Sequence, residues 1–224
     1  KNHEVLICFD QMQREGIFPD AVTFVCILSA CGANINADNG KEIHHQIVRK
    51  GLLVENDSIL TNSLIDMYSK CSSLAKARDL FEDLPLIRSI VFWNTLIKGH
   101  TEHGQGHQAL NYFEQMRSEG FVPDQVSFLC ILSACSHSGL SIEAQMHFRN
   151  MMRKYGIAPN LEHHICMVMV FGCEGYFDTA ISVIQAMPSS CNNPGPWLAL
   201  LGACRKWGNA KLGRLAFDQV VQSR

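Results

Sequence analysis

Three histidines, His100, His103 and His107, stand at i, i+3 and i+7, a spacing that can gather imidazoles on one helix face around a metal ion. Gly104 and Gly106 interrupt that helix and no Cys or carboxylate completes the set, so no metal is expected. His44-His45 and His163-His164 read as pairs on helix surfaces. Ten cysteines could carry thiolate or disulfide chemistry. No C-x-x-C occurs, which excludes zinc-ribbon and thioredoxin-type motifs. Cys26, Cys31, Cys130 and Cys135 lie inside apolar runs, where a thiol serves as a small buried hydrophobe. No Ser or Cys has a base at a defined spacing. What remains are two carboxamides, Asn62 and Asn94, each heading an Asn-x-Leu-Ile string. Such a side chain carries donor and acceptor together, and near a helix start its ordinary task is to satisfy backbone groups.

The elements that would position these side chains follow from internal repetition. FDQMQREGIFPD (9–20) and FEQMRSEGFVPD (113–124) align at an offset of 104, and AVTFVCILSAC (21–31) continues the match with QVSFLCILSAC (125–135). Shorter echoes subdivide that offset. Asn62 and Asn94, Ala77 and Ala109, and Phe81 and Phe113 are each 32 apart, while Leu84-Pro85 recurs as Met187-Pro188. These anchors divide the chain into units at 21–57, 58–89, 90–124, 125–160 and 161–193, with a half unit, 1–20, before them and a divergent one, 194–224, after.

Each unit reads as two helices. In 90–124, Trp93, Leu96 and Ile97 share one helical face, Gly104-Gln-Gly106 makes the turn, and Ala109, Leu110, Phe113 and Met116 form a second apolar face. Gly120 suits a left-handed helix end, Pro123 follows it, and Asp124 stands where the next helix needs an N-cap, as Asp20 does earlier. A lone helical hairpin cannot bury both faces, so neighbouring hairpins must stack. The expected fold is all-α, a right-handed superhelical solenoid of helix-turn-helix repeats.

The strings ILTNSLIDMYSKCSSLAKARDLFEDLP (59–85), VFWNTLIKGHTEHGQGHQALNYFEQMRSEGFVPD (91–124) and GKEIHHQIVRKG (40–51) closely resemble the pentatricopeptide repeats of land plants. The unequal unit lengths are similar to the P, L and S motifs of the subclass that uses all three. On that resemblance 1–20 is a partial P-type repeat, 21–57 L-type, 58–89 S-type, 90–124 P-type, 125–160 L-type and 161–193 a terminal S-type. The tail from Trp197 to Ala216 resembles the extension motif of organellar RNA-editing factors, and 194–224 is then part of it. MVMVFGCEG (167–175) departs from the family's usual MVDLLGRAG.

The resemblance implies one RNA base per repeat, read by the fifth residue of a unit together with its last. It makes Asn94 with Asp124 a reader of U, whose Watson–Crick edge an amide complements. Asn62 with Ser89 becomes a reader of pyrimidine, C rather than U. Val25 with Asp57 and Leu129 with Asn160 are weak readers, since neither Val nor Leu can hydrogen-bond a base. Val22, Ile59, Val91 and Val126, second in their units, would flank the bases, and Glu162 at that place in 161–193 would repel them.

The same resemblance implies single-stranded organellar RNA as partner, in mitochondrion or chloroplast with the mitochondrion first, and no DNA. The C-terminal repeats and the extension would engage proteins of the editing machinery. No cofactor is called for. No H-x-E is paired with a C-x-x-C, so the zinc deaminase signature is absent and no enzymatic activity is expected of these residues. The sequence opens inside a repeat, which predicts a fragment. A net charge of −2, from 19 basic and 21 acidic residues, points the other way from tight phosphate binding and keeps a protein-interaction scaffold as the rival reading. With 47% hydrophobic and 18% charged residues the chain must bury a core, and its longest apolar run, Val126 to Cys135, falls short of a membrane span of about 20 residues.

Overall fold

The computed structural model describes residues 2–53, 58–83, 89–187 and 193–222. Among them run thirteen helices and no strand: α1 (Asn2–Arg14), α2 (Ala21–Ala33), α3 (Ala37–Arg49), α4 (Ser58–Lys70), α5 (Leu74–Asp83), α6 (Ile90–Glu102), α7 (Gly106–Ser118), α8 (Gln125–Ser138), α9 (Ser141–Arg153), α10 (Leu161–Cys173), α11 (Phe177–Gln185), α12 (Gly195–Trp207) and α13 (Ala210–Gln222). None of these is long and apolar enough to cross a membrane.

Short polar residues start α2, α6, α8 and α10. The Asp20 carboxylate accepts from the Thr23 N–H at 2.8 Å, Ser89 caps α6, Asp124 caps α8 and Asn160 caps α10. Left-handed backbone follows several helices where the chain must reverse, supplied by glycine after α6 and α7 and by Ile35 and Ser72 after α2 and α4. Gly104 (φ +70°) follows α6 and Gly120 (φ +89°) follows α7, backbone that a β-carbon would strain.

Packing sorts the helices into two rows. α2, α4, α6, α8, α10 and α12 each lie against the next in that series, while the alternate helices pack on the two members that flank them in sequence. A central helix therefore meets protein on most sides. α8 accordingly buries eight residues and α10 seven, whereas α3 and α9 bury three each. Two core clusters adjoin at α8: Ile131 belongs to one running from Phe9 to Met151, and its neighbour Leu132 to a second reaching Ala216. Trp93, fully buried, stacks edge-on to Phe81 with ring centroids 4.6 Å apart, joining α6 to α5. The result is a solenoid of stacked helical hairpins.

Two residues lie elsewhere than the sequence suggests. His163 is fully buried rather than on a helix surface: it is the third residue of α10, its Nε2 lies 3.0 Å from the Gln125 carbonyl, and so it ties α10 to the start of α8. Cys26 is exposed, as is Cys8. Apolar neighbours in sequence do not bury a residue whose helical phase turns it away from the adjacent hairpins.

Candidate nucleic-acid interface

The first helices present a repeated surface feature. Val22 (69% exposed), Ile59 (68%), Val91 (54%) and Val126 (52%) stand on α2, α4, α6 and α8 respectively. Apolar side chains so exposed at one register are not core residues. Each precedes by three positions Val25, Asn62, Asn94 or Leu129, hence shares a helix face with it. Glu162, exposed on α10, takes the same register.

Asn94 is 7% exposed, and both ends of its carboxamide are engaged. Its Nδ2 donates to the Asp124 Oδ1 at 3.2 Å, and its Oδ1 lies 2.7 Å from the Ser127 hydroxyl. The same Asp124 Oδ1 accepts from the Ser127 N–H at 2.8 Å, so one carboxylate oxygen caps α8 and orients Asn94. An amide offers two N–H groups and two acceptor positions; one of each is used here, leaving one of each for a ligand.

Asn62 is held differently. Its Oδ1 lies 2.7 Å from the Thr95 hydroxyl on α6. Ser89, the expected companion of Asn62, instead accepts from the Phe92 N–H at 3.4 Å at the start of α6. The structure thus joins Asn94 with Asp124 and leaves Asn62 and Ser89 unjoined. Val25 and Leu129 are half-buried, each packed against a core cluster. Asn160 caps α10 by accepting from the His163 N–H at 3.1 Å. Asp57 lies outside the described residues.

Sequence does not single out Ser127 and Thr95, although each follows its Asn by 33 positions. The signal is hidden because the units differ in length: Ser127 is third in its unit and Thr95 sixth. One helical turn separates those two places, so both hydroxyls can point the same way.

His100 and His103 have separate partners. The His100 Nδ1 lies 2.8 Å from the Gln105 Oε1, and burial holds its pKa below the usual value. His103 contacts the Gly99 carbonyl and the Ser72 hydroxyl. No group of three or more His, Cys, Asp and Glu close enough to hold a metal occurs among the described residues. Cys130 lies behind Asn94, with its Sγ 3.8 Å from the Asn94 carbonyl, and burial pushes its pKa up to about 12. At neutral pH that thiol is protonated and neither nucleophile nor ligand.

Residues 88–137 match the PPR repeat family model, and residues 59–86 and 126–155 match the PPR repeat model. The chain carries pentatricopeptide repeats. Over 221 residues these are 38% identical to a pentatricopeptide repeat-containing protein of Arabidopsis thaliana, covering 98% of this chain and 27% of that one. A second Arabidopsis relative is 39% identical over 220 residues, covering 98% and 26%. A third, 38% identical over 225 residues, is named as mitochondrial. The chain therefore spans only about a quarter to a third of these relatives' length. In fold, the repeats superimpose on the crystal structure of the pentatricopeptide repeat protein PPR10 in complex with an 18-nt psaJ RNA element, with a TM-score of 0.79 at 15% identity over 98% of this chain and 32% of that one. The crystal structure of PPR10 from maize gives 0.59 at 18% identity over 99% and 36%.

Proposed function

We propose that these repeats bind single-stranded RNA, one base per repeat, within a plant organellar RNA-processing factor, and that the specific task is recognition of a site for C-to-U editing. The reading extends to the unit types: P, L and S motifs through 193, then part of an extension motif in 194–224. The observation that carries it is the Asn94–Asp124 bond at 3.2 Å, which orients an amide and leaves it a spare donor and acceptor. The exposed register of Val22, Ile59, Val91 and Val126 supports it by offering apolar surface on either side of such an amide. Water kept from that edge makes the remaining hydrogen bonds count for more.

Fluorescence anisotropy with short single-stranded RNAs containing C-U, against variants carrying A or G at either base, tests the reading at low salt. Loss of affinity when U is replaced, abolished by Asn94→Val, supports it. Equal, weak binding to every RNA rejects it.

A second reading rests on a separate observation. Leu198 on α12 and Leu215, Phe217 and Val221 on α13 are exposed, and the net charge of −2 gives little attraction to phosphate. On that reading the 161–224 end is a protein-docking surface within an organellar editing complex, and it can coexist with RNA reading by residues 58–124.

A further inference from the structure

In both units that carry an amide, the following unit sends a hydroxyl to the Oδ1 of that amide: Ser127 to Asn94 and Thr95 to Asn62, each at 2.7 Å. The Ser127 proton has two acceptors within reach, Asn94 Oδ1 and, at 2.9 Å, Asp124 Oδ1. The latter oxygen already accepts from the Ser127 N–H and the Asn94 Nδ2, which leaves the nearer Asn94 Oδ1 as the less occupied acceptor for that proton. Ser127 is fully buried, and its hydroxyl oxygen accepts in turn from the Asp124 N–H at 3.2 Å. Its place is therefore fixed before any ligand arrives.

We infer that Ser127 and Thr95 are positioning residues for base selection, each fixing which end of the neighbouring unit's carboxamide is donor and which is acceptor. This rests on the RNA reading proposed above and adds a third residue to each reading set, contributed across the junction between units. The chemistry that makes it matter is the difference between pyrimidines. U offers an N3–H donor beside an acceptor, and C offers an N3 acceptor beside an amino donor, so a reversed amide suits the other base. Asn94 is held at both ends, by Asp124 and Ser127, and cannot reverse without setting its Oδ1 against a carboxylate. Asn62 is held at its Oδ1, and the Thr95 hydroxyl that holds it also lies 2.9 Å from the Val91 carbonyl. When that proton turns to Val91, the Thr95 oxygen can accept from a reversed Asn62. Discrimination between U and C is accordingly sharper at Asn94 than at Asn62.

The experiment compares the 224-residue chain with Ser127→Ala, Ser127→Thr, Thr95→Val and Asn94→Val, on RNAs that carry U or C opposite each unit, with melting temperatures measured in parallel. Ser127→Ala should lower the U-over-C ratio opposite Asn94 by about three- to tenfold, the range one hydrogen bond supports, without changing the ratio opposite Asn62. Thr95→Val should act on Asn62 alone. Ser127→Thr should restore the ratio, because Thr23 already fills the equivalent cap position beside Asp20 with its hydroxyl 2.6 Å from the carboxylate. If Ser127→Ala weakens U and C equally, with a parallel loss of melting temperature, the hydroxyl is structural and the inference fails while RNA reading stands. If Asn94→Val leaves the ratio unchanged, base reading itself fails and the inference with it.

Discussion

Asn94, on α6, and Asp124, which caps α8, are 30 residues apart in the chain and meet at 3.2 Å. The aspartate faces two demands at once: α8 needs an acceptor for its first free N–H groups, and the Asn94 amide needs a fixed orientation. A single oxygen meets both. If the proposed RNA reading holds, stability and base selection are coupled at Asp124 and separable at Asn94.

Asp124→Ala should lower the stability of the chain by about 1 kcal/mol, the usual value of an N-cap, and remove the preference for U. Asp124→Asn should restore the melting temperature, since Asn caps as well as Asp, but recover selectivity only in part because the charged acceptor is gone. Urea denaturation and anisotropy on the same samples separate the two effects. Recovery of neither property by Asn would contradict this assignment.

Val91→Ala should weaken RNA binding several-fold and leave the melting temperature nearly unchanged, because Val91 is 54% exposed. Its neighbour Phe92, 1% exposed, should behave in the opposite sense, with Phe92→Ala costing about 3–5 kcal/mol of stability. A Val91 variant that melts early would place that side chain in the core after all.

Gly106 begins α7 with its α-carbon close against α8. A β-carbon there would overlap the Ser138 side chain and stand 2.9 Å from the Ala134 carbonyl, which is helix backbone and cannot yield. Gly106→Ala should therefore destabilise by about 1–3 kcal/mol. At Gly40 the added carbon would meet only the flexible thioether of Met67, so Gly40→Ala should cost less than about 1 kcal/mol. Chemical denaturation of the two variants ranks them.

His44, His100, His147 and His163 have pKa values lowered, in each case by burial first. The folded state favours their neutral form, while the unfolded chain takes up protons near the ordinary value of about 6.5. The stability they support is complete above that value and declines as pH falls through it toward the lower folded-state values. Melting at about pH 5 should therefore occur below melting at about pH 7.5. His147, packed edge-on to Phe113 at 5.2 Å, can be replaced by Phe to narrow the gap. An unchanged gap in His147→Phe would remove this histidine from the account.

Sequence alone specifies the local features. The Asp20 and Asp124 caps, the left-handed Gly120, the reversal at Gly104 to Gly106 and the shared face of Ala109, Phe113 and Met116 all depend on residues within a turn or two of one another. Backbone propensity and helical periodicity therefore suffice to read them, and stacked hairpins follow because no hairpin buries both its faces. The choice of Asn94 and Asp124 as a pair came from family resemblance rather than from any local rule.

Which apolar positions are core and which are surface depends on how the hairpins pack in three dimensions. Val91 and Phe92 are adjacent and both apolar, yet one is exposed and the other buried, because the answer depends on where the neighbouring hairpins sit. The same holds for His163, buried between α10 and α8, and for Cys26, left outside. The hydroxyls of Ser127 and Thr95 reach their amides across the junction between units. That geometry is set by how one hairpin is laid on the next, which a periodicity confined to a single helix does not encode.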